Sequence, residues 1–436
     1  MAPTRRGNEG LLARVNFPLY TVQMLTSHHI IVGGGGGSSK TGVANGFEIF
    51  ELMFDGKKFV AEEMIRHETG PSVVMNCACH STSKRMYLVA GQESHCQLYN
   101  VNVDIVEDDD SRNVSPEDEA NNSSVRRRRT LSKSENGNSK SNHSKSNKVD
   151  SSKDIQRRLR FNLKPDESVQ SDFSKEEPLQ RVVRISLDGN LMATGGTDGV
   201  VRLWEFPSMK PKFSMEAHAK EIDDLDFSPD NKSLASISKD GQAFTWCCKT
   251  GKKYQILSWT TPNGNKYLYK RCRYGIVEED RTRCRLFTLA NPVARTGKQL
   301  SYIQMWDPVT GELKKSSLIE ESLSALAVRD DGRFAAVGTM FSGSVFLYIA
   351  FSLQRVMTVN NAHSMFVTGL EFLPALCDNQ PSITTLSEAA VISISVDNKI
   401  CIHSLPFRRS LPPWLVIMFI IVTLFFTFVF CSYMGL

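Results

Sequence analysis

Short apolar segments separated by polar turns recur along most of this chain of 436 residues. The pattern is clearest in segments 191–204 and 234–246, where an apolar strand of small residues meets an Asp-Gly turn and a second strand ends in tryptophan. Apolar runs of this length bounded by turn residues predict β-strands. The two tryptophans, Trp204 and Trp246, lie 42 residues apart. A strand-turn-strand unit repeated at this period is typical of the blades of a β-propeller.

Weaker copies of the unit extend the repeat to seven. They are 29–32 with 47–52 around a glycine run, 87–91 with 95–99, 286–289 with 301–307, 334–338 with 344–348, and 391–397 with 400–403. These units resemble WD repeats and predict an all-β fold, a seven-bladed WD-type β-propeller, because closing the ring buries the faces and edges that one copy leaves exposed. No further strand follows residue 403, so we expect a segment around residues 11–17 to complete the last blade.

One long segment belongs to no blade. From about 104 to 153 an acidic run gives way to four arginines, Arg126–Arg129, and then to serine, asparagine and lysine. With few apolar residues, nothing offsets the entropy of ordering this segment, so it predicts a disordered insertion in the second blade, before a returning strand near 159–163. A solvated linker is the favoured interpretation; a basic-directed phosphorylation site at Thr130 or Ser132, or a nuclear-import signal, is the alternative.

The C-terminal region is apolar throughout. Between Trp414 and Cys431 the only polar side chains are two threonines, whose hydroxyls can bond back to their own helix. A helix over this run spans roughly 27 Å, enough for a thin bilayer. Arg408 and Arg409 precede it and no basic residue follows, which places the propeller in the cytosol and the C-terminus in the lumen. The predicted organisation is a cytosolic propeller over 1–410, a transmembrane helix over 414–433, and a short lumenal tail over 434–436.

Composition narrows the choice of compartment and partner. The net charge is only +5 with both signs mixed along the chain, which gives little reason to expect nucleic acid as a partner. The start, Met1–Gly7, is polar and no apolar signal region follows the start, so with its ten cysteines the bulk of the protein is expected to sit in a reducing compartment.

The glycine run, Gly33–Gly37, superficially suggests nucleotide binding. A Walker loop places a glycine directly before its lysine, but Ser39 precedes Lys40 here. The run also lies between two predicted strands and lacks the helix N-terminus that would hold phosphate. We therefore expect no direct nucleotide binding by this segment, and no dinucleotide fingerprint.

Two other groups of polar residues are better explained by structure than by chemistry. One group contains Cys77, Cys79, His80, His95 and Cys96. The spacing of Cys77 and Cys79 is wrong for a zinc site, and buried free cysteines pack as small hydrophobes. A second group matches the hydrogen-bonded set that fastens WD-repeat blades. Its members are His218, Ser236, Asp240 and Trp246. Asp198 and Asp397 occupy equivalent turns, which they are expected to hold.

The combination of a WD-type propeller, a glycine-rich loop in the first blade and one C-terminal span resembles the prolactin regulatory element-binding protein family. The resemblance covers nearly the whole chain except the insertion, and its motifs are 17–20, 40–43, 193–199, 348–354 and 408–410. It implies a guanine nucleotide-exchange factor of the endoplasmic reticulum membrane that activates the Sar-type small GTPase of COPII budding and ER-to-Golgi transport. Other COPII assembly factors are further expected partners. It also implies a regulatory activity without covalent catalysis.

In that family the first-blade loop, residues 33–46 here, carries the exchange activity. The resemblance assigns the contacts with the GTPase to Lys40, Thr41, Gly42, Val43 and Asn45, with Val43 as an apolar tip on an exposed loop. It also implies a structural potassium ion held by backbone carbonyls, which fall here on Gly34, Gly35, Gly36, Gly37, Ser38 and Gly42. Valine stands at 43 where members often have isoleucine, and alanine at 44 where some have proline.

Two other classes of function remain as alternatives. A membrane-bound propeller scaffold would share every feature except exchange activity. A nuclear or DNA-binding regulator would rest on Arg126–Arg129, but the apolar C-terminal run and the modest net charge disfavour it.

Overall fold

The computed structural model of the protein describes residues 4–6, 10–37, 42–82, 85–107, 157–277, 280–293, 300–375, 387–407 and 413–435. Within these ranges, twenty-nine strands form seven sheets, and one α-helix follows them. The arrangement is a seven-bladed β-propeller, as the repeat of strand-turn-strand units predicts. Each predicted unit supplies the second and third strands of its blade.

Each blade is a four-stranded antiparallel sheet, to which the sixth blade adds one parallel strand. The first blade contains β3 (Leu19–Met24), β4 (His29–Gly34), β5 (Gly46–Phe54) and β6 (Phe59–Glu68). The second contains β7 (Val74–Ser81), β8 (Met86–Gln92), β9 (His95–Glu107) and β10 (Arg157–Gln170). The third contains β11 (Gln180–Ile185), β12 (Leu191–Gly196), β13 (Val200–Glu205) and β14 (Lys210–Glu216). The fourth and fifth contain β15 (Ile222–Phe227), β16 (Ser233–Ser238), β17 (Ala243–Cys247) and β18 (Lys253–Ile256); and β19 (Tyr267–Val277), β20 (Asp280–Pro292), β21 (Ser301–Trp306) and β22 (Leu313–Ile319).

The sixth and seventh blades involve the N-terminal strands. The sixth contains β23 (Leu323–Val328), β24 (Phe334–Thr339), β25 (Val345–Ile349), β26 (Gln354–Asn360) and β1 (Thr4–Arg6); the seventh contains β27 (Val367–Phe372), β28 (Ser387–Ser395), β29 (Lys399–Pro406) and β2 (Leu11–Arg14). The pairing of β2 with β29 confirms the expected closure by an N-terminal segment. The parallel pairing of β1 with β26 is an addition that the sequence pattern does not predict.

The hydrophobic core lies between neighbouring blades. Between the third and fourth blades, for example, Leu203 and Met215 pack with Leu225 and Phe244. Similar clusters join most other neighbouring pairs, including the seventh blade with the first. Successive side chains of a strand point to opposite faces of the sheet, and each face of a blade is covered by a neighbouring blade. Apolar residues on both faces are therefore buried as the blades stack around the ring.

The predicted insertion falls between the third and fourth strands of the second blade. Strand β9 continues to Glu107, past the predicted start at 104, because the alternation of Val101, Val103 and Ile105 prolongs the strand pattern. Residues 103–160 separate as a small unit, of which the structure describes only the strand ends 103–107 and 157–160. The rest of the segment predicted to be disordered, from residue 108 onward, lies outside the described ranges.

The C-terminal helix is α1 (Pro413–Met434). Over 414–434 it is long and apolar enough to cross a membrane. The hydroxyls of Thr423 and Thr427 donate to the carbonyls of Ile420 and Leu424 at 2.8 Å, which confirms that both threonines bond back to their own helix.

Candidate functional site

The first-blade loop, residues 33–46, begins and ends inside a sheet. Gly33 and Gly34 are the last residues of β4, and Gly34 pairs with Gly46, the first residue of β5. A Cβ on Gly34 would lie 1.9 Å from the carbonyl oxygen of Pro18, and one on Gly46 would lie 2.2 Å from that of His67. Glycine is therefore required at both positions because neighbouring backbone approaches too closely for any side chain.

Asn45 ties the two sides of the loop together. Its Oδ1 accepts a hydrogen bond from the Gly37 N–H at 2.9 Å, and its Nδ2 donates to the Gly37 carbonyl at 3.1 Å. The same Nδ2 also donates to the carbonyl of Gly70 at 3.0 Å, in the connection to the second blade. The side chain is buried, with 5% of its surface exposed. In this structure the polar atoms of Asn45 hold the loop, and its direct contact with a partner stays a prediction.

Three loop glycines have positive φ angles. Gly35 has φ of 144°, Gly37 of 82° and Gly42 of 77°, values that L side chains rarely adopt. At Gly35 a Cβ would also lie 2.1 Å from Asn45 Oδ1, so any side chain there would displace the asparagine. The loop thus depends on glycine for its backbone path and for access of Asn45 to its partners.

Val43 is half-buried and packs against the hydrophobic cluster shared by the seventh and first blades. That cluster includes Phe17 and Ile402. Val43 is therefore not a fully exposed tip in this structure, and its contact with a partner stays a prediction. Gly42 and Ala44, on either side, are exposed.

The remaining predicted loop residues are only partly described. Ser38, Lys40 and Thr41 lie outside the described residues, so their assigned contacts stay predictions. Gly36 lies within the described part of the loop, between the two positive-φ glycines.

The predicted blade-fastening set is present in the fourth blade. His218 Nδ1 lies 3.0 Å from Asp240 Oδ2, its Nε2 lies 2.9 Å from Ser236 Oγ, and the Trp246 indole N–H donates to the same hydroxyl at 2.8 Å. Burial lowers the pKa of His218 despite the neighbouring carboxylate of Asp240. The structural interpretation of His218 is confirmed.

The seventh blade contains a similar set that sequence reasoning missed. His363 lies 3.0 Å from Asp397 Oδ1 and 2.8 Å from Ser393 Oγ, and His403 takes the place of the tryptophan, with its Nε2 2.8 Å from the same serine. Asp397 also holds its own turn by accepting from the N–H of Lys399 at 3.2 Å. The sequence pattern did not reveal this set because histidine, not tryptophan, stands at 403. The order of His363, Ser393 and Asp397 along the chain is nevertheless the same as in the fourth blade.

Cys77 behaves as a packed thiol. It is buried, its sulfur lies 3.2 Å from Thr21 Oγ1, and burial raises its pKa to about 12. The nine cysteines in the described ranges are all unpaired. Across those ranges, no three histidine, cysteine or acidic side chains converge as a metal site of those ligands would require.

Comparison with known proteins matches the WD domain, G-beta repeat family over residues 180–205 and 209–247, in the third and fourth blades. Over 425 residues the chain is 33% identical to the guanine nucleotide-exchange factor SEC12 of Mus musculus and to that of Rattus norvegicus, covering 95% of this chain and 94% of each relative. The chain belongs to the SEC12 family. SEC12-like protein 1 of Arabidopsis thaliana is 29% identical over 217 residues, about half of either chain. The SEC12 family is the one that the sequence motifs indicated, and the alignment includes nearly the whole propeller.

Proposed function

We propose that the protein is a guanine nucleotide-exchange factor that activates a Sar-type small GTPase at the endoplasmic reticulum membrane and so starts COPII vesicle formation. The observation that carries the proposal is the 33% identity, extending over 95% of the chain, to proteins named as guanine nucleotide-exchange factors. The first-blade loop is the surface on which we place the activity.

Exchange needs a protein that binds the nucleotide-free GTPase more tightly than the nucleotide-bound form. A loop that competes with the nucleotide must hold its shape, because ordering it during binding would consume binding energy. The bonds from Asn45 to Gly37 and Gly70 support such preorganisation. We assign the direct contacts to Lys40, Thr41 and the exposed Gly42, with Asn45 as a positioning residue.

A potassium ion in the loop is a further part of the proposal. Backbone carbonyls suit this ion, and glycines at positive φ can turn their carbonyls toward a common centre. Gly35, Gly37 and Gly42 have such angles, and the Gly37 carbonyl, which accepts one bond from Asn45, has a second lone pair. The residues that would hold the ion are Gly34–Gly37, Ser38 and Gly42. The ion would supply a fixed positive charge that stabilises the turn.

The C-terminal helix supports a single-pass membrane attachment. Its length and apolar surface suit a bilayer, and Arg408 and Arg409 precede it on the side of the propeller. We infer that the propeller faces the cytosol and that residues 434–436 lie in the lumen. This arrangement would concentrate exchange at the membrane where the GTPase acts.

The experiment that tests the function is release of fluorescent GDP from a purified Sar-type GTPase, with the full chain in detergent micelles. Catalytic amounts of the protein should accelerate release at least tenfold over the intrinsic rate. Binding of the GTPase without acceleration would instead support the membrane scaffold.

A further inference from the structure

Three large apolar residues are exposed in two neighbouring connections at the junction of the sixth and seventh blades. Phe341 is 59% exposed, Met365 48% and Phe366 38%. Phe341 lies in the connection between β24 and β25, and the other two lie in the connection between β26 and β27. We call these three residues the apolar patch.

The apolar patch lies on the same face of the propeller as the first-blade loop. In an antiparallel four-stranded blade, the connection between the second and third strands and the connection to the next blade are at the same end. The first-blade loop and Phe341 occupy connections of the first kind, and Met365 and Phe366 occupy one of the second kind. Phe351, which is 74% exposed, lies between the third and fourth strands of its blade and is therefore on the opposite face.

The backbone that carries Phe341 is fixed by its surroundings. The N–H of Ser344 donates to Thr339 Oγ1 at 2.8 Å across the turn, and the N–H of His363 donates to the Gly343 carbonyl at 3.0 Å. A Cβ on Gly343 would lie 2.2 Å from the His363 carbonyl oxygen, so the two connections are in close contact. An exposed phenylalanine on a fixed turn loses little conformational entropy when it binds.

The seventh blade holds the other side of the apolar patch. The hydroxyl of Ser395 donates to the Phe366 carbonyl at 2.7 Å, and the Ser364 N–H donates to Asp397 Oδ2 at 3.0 Å. Ser395 and Asp397 both lie at the turn between β28 and β29 of the seventh blade. The patch is therefore fixed to the turn that separates it from the first blade.

The same turn is bonded to the segment that supports the first-blade loop. The Val15 N–H donates to the Asn398 carbonyl at 3.0 Å, and three residues later the Pro18 carbonyl accepts from the Gly35 N–H at 3.0 Å. Hydrogen bonds linked by short stretches of backbone thus connect Gly35, at the base of the first-blade loop, through the seventh blade to the apolar patch. The two surfaces are held in a fixed relation on one face.

The size of a protein interface argues that a bound GTPase extends beyond the first-blade loop. A stable interface takes roughly 20–30 residues and about 800 Å² from each partner. The loop has fourteen residues, and Gly33, Gly34 and Gly46 are committed to the sheet. A globular partner seated on the loop must therefore contact neighbouring parts of the same face.

We propose that the apolar patch is a second contact surface for the GTPase that the first-blade loop engages. This inference rests on the proposed function and adds a role to it: the patch binds an apolar surface of the GTPase and so sets affinity, while the loop promotes nucleotide release. Phenylalanine and methionine are enriched at protein interfaces, where a few residues carry most of the binding energy. Phe341 is the central residue of the contact.

The test measures nucleotide release at increasing concentrations of GTPase for the full chain in micelles. Phe341→Ser and Met365→Ser should each raise the half-saturating GTPase concentration at least fivefold and leave the maximal rate within twofold. Phe351→Ser, the matched phenylalanine on the opposite face, should change neither quantity. Thermal unfolding of each variant is measured alongside, and replacement of Phe341 by a photo-crosslinking phenylalanine should capture the GTPase without any loss of folding.

The outcomes separate the two proposals. Failure of the unaltered chain to accelerate release on a Sar-type GTPase would overturn the proposed function. Normal exchange by the unaltered chain and by folded Phe341→Ser, with the same half-saturating concentration and no crosslink, would overturn the role of the patch alone. A drop in the maximal rate without a change in half-saturation would also contradict it. If the serine variant does not fold, absence of the crosslink decides against the patch.

Discussion

Asn45 and Gly37 exchange two hydrogen bonds, with the asparagine amide accepting from the glycine N–H at 2.9 Å and donating to its carbonyl at 3.1 Å. This two-way pairing is what a backbone strand would make, but here a side chain supplies it. The buried amide therefore closes the first-blade loop where its backbone leaves the sheet. The two described parts of the loop, residues 33–37 and 42–46, are thus held together by groups of the propeller itself.

Gly35→Ala should disturb this pairing directly. The new methyl would lie 2.1 Å from Asn45 Oδ1, so the amide must move away from Gly37. We expect exchange to fall at least tenfold. Gly56→Ala is the matched control, since Gly56 also has a positive φ, of 89°, but open space around its Cβ. That variant should lose about 1–2 kcal/mol of unfolding free energy and keep its exchange rate. Equal exchange by the two variants would show that the pairing has no role.

Val43→Asp should lower both exchange and stability. Val43 packs on the hydrophobic cluster between the seventh and first blades, so a carboxylate there loses apolar contact and is partly desolvated. We expect the free energy of unfolding to fall by about 1–3 kcal/mol in chemical denaturation. Ala44→Asp, one residue along at an exposed position, should change stability by less than about 0.5 kcal/mol. Unchanged stability of Val43→Asp would contradict the packing described for this side chain.

Asp397 should contribute to stability in a pH-dependent way. Burial alone would raise its pKa, but bonds from His363 and the Ser364 N–H outweigh burial and hold the pKa well below its ordinary value. A lowered pKa in the folded state gives stability that is present above the unfolded value of about 3.9 and is lost as pH falls below it. Asp397→Asn should therefore be less stable at pH 7, by about 1–3 kcal/mol, and lose less stability on acidification. Parallel stability-versus-pH curves for the two proteins would count against this role.

Deletion of Trp414–Leu436 should release the protein from membranes without loss of exchange in solution. The propeller has its own cores between blades, and the helix surface is exposed over its length. Fractionation after an alkaline wash tests the attachment, and nucleotide release in solution tests the fold. Retention of the shortened chain in washed membranes would contradict attachment by this helix.

The blade architecture was accessible from the sequence because each unit repeats the same local signal. Apolar strands around an Asp-Gly turn identify the third and fourth blades, and the period then locates weaker copies. The closing strand β2 was expected because the seventh blade lacked its fourth strand. By contrast, β1 has three residues, Thr4–Arg6, with no alternation of apolar and polar residues, and it pairs with β26 in parallel. No pattern of side chains predicts such a strand.

The loop was located from its glycines, but the roles of its side chains were not. The sequence places Val43 and Asn45 in a polar, glycine-rich stretch, which favours exposure. Their burial arises from contacts with residues distant in sequence, Gly70 for Asn45 and the cluster containing Ile402 for Val43. The contact of Val43 depends on the closed ring, which brings the first and seventh blades together, and that of Asn45 depends on the connection to the second blade. Local composition cannot report them.

We propose that the first-blade loop, held by Asn45, promotes nucleotide exchange. The most direct test compares Asn45→Ala with Asn291→Ala, because Asn291 also exchanges two hydrogen bonds with a backbone, that of Leu323, at 2.8 and 3.0 Å. Both variants should lose about 1–3 kcal/mol of stability. In GDP release from a purified Sar-type GTPase, we predict at least a tenfold loss for Asn45→Ala and no loss for Asn291→Ala. Equal release rates for the two folded variants would contradict a role of Asn45 and the first-blade loop in exchange.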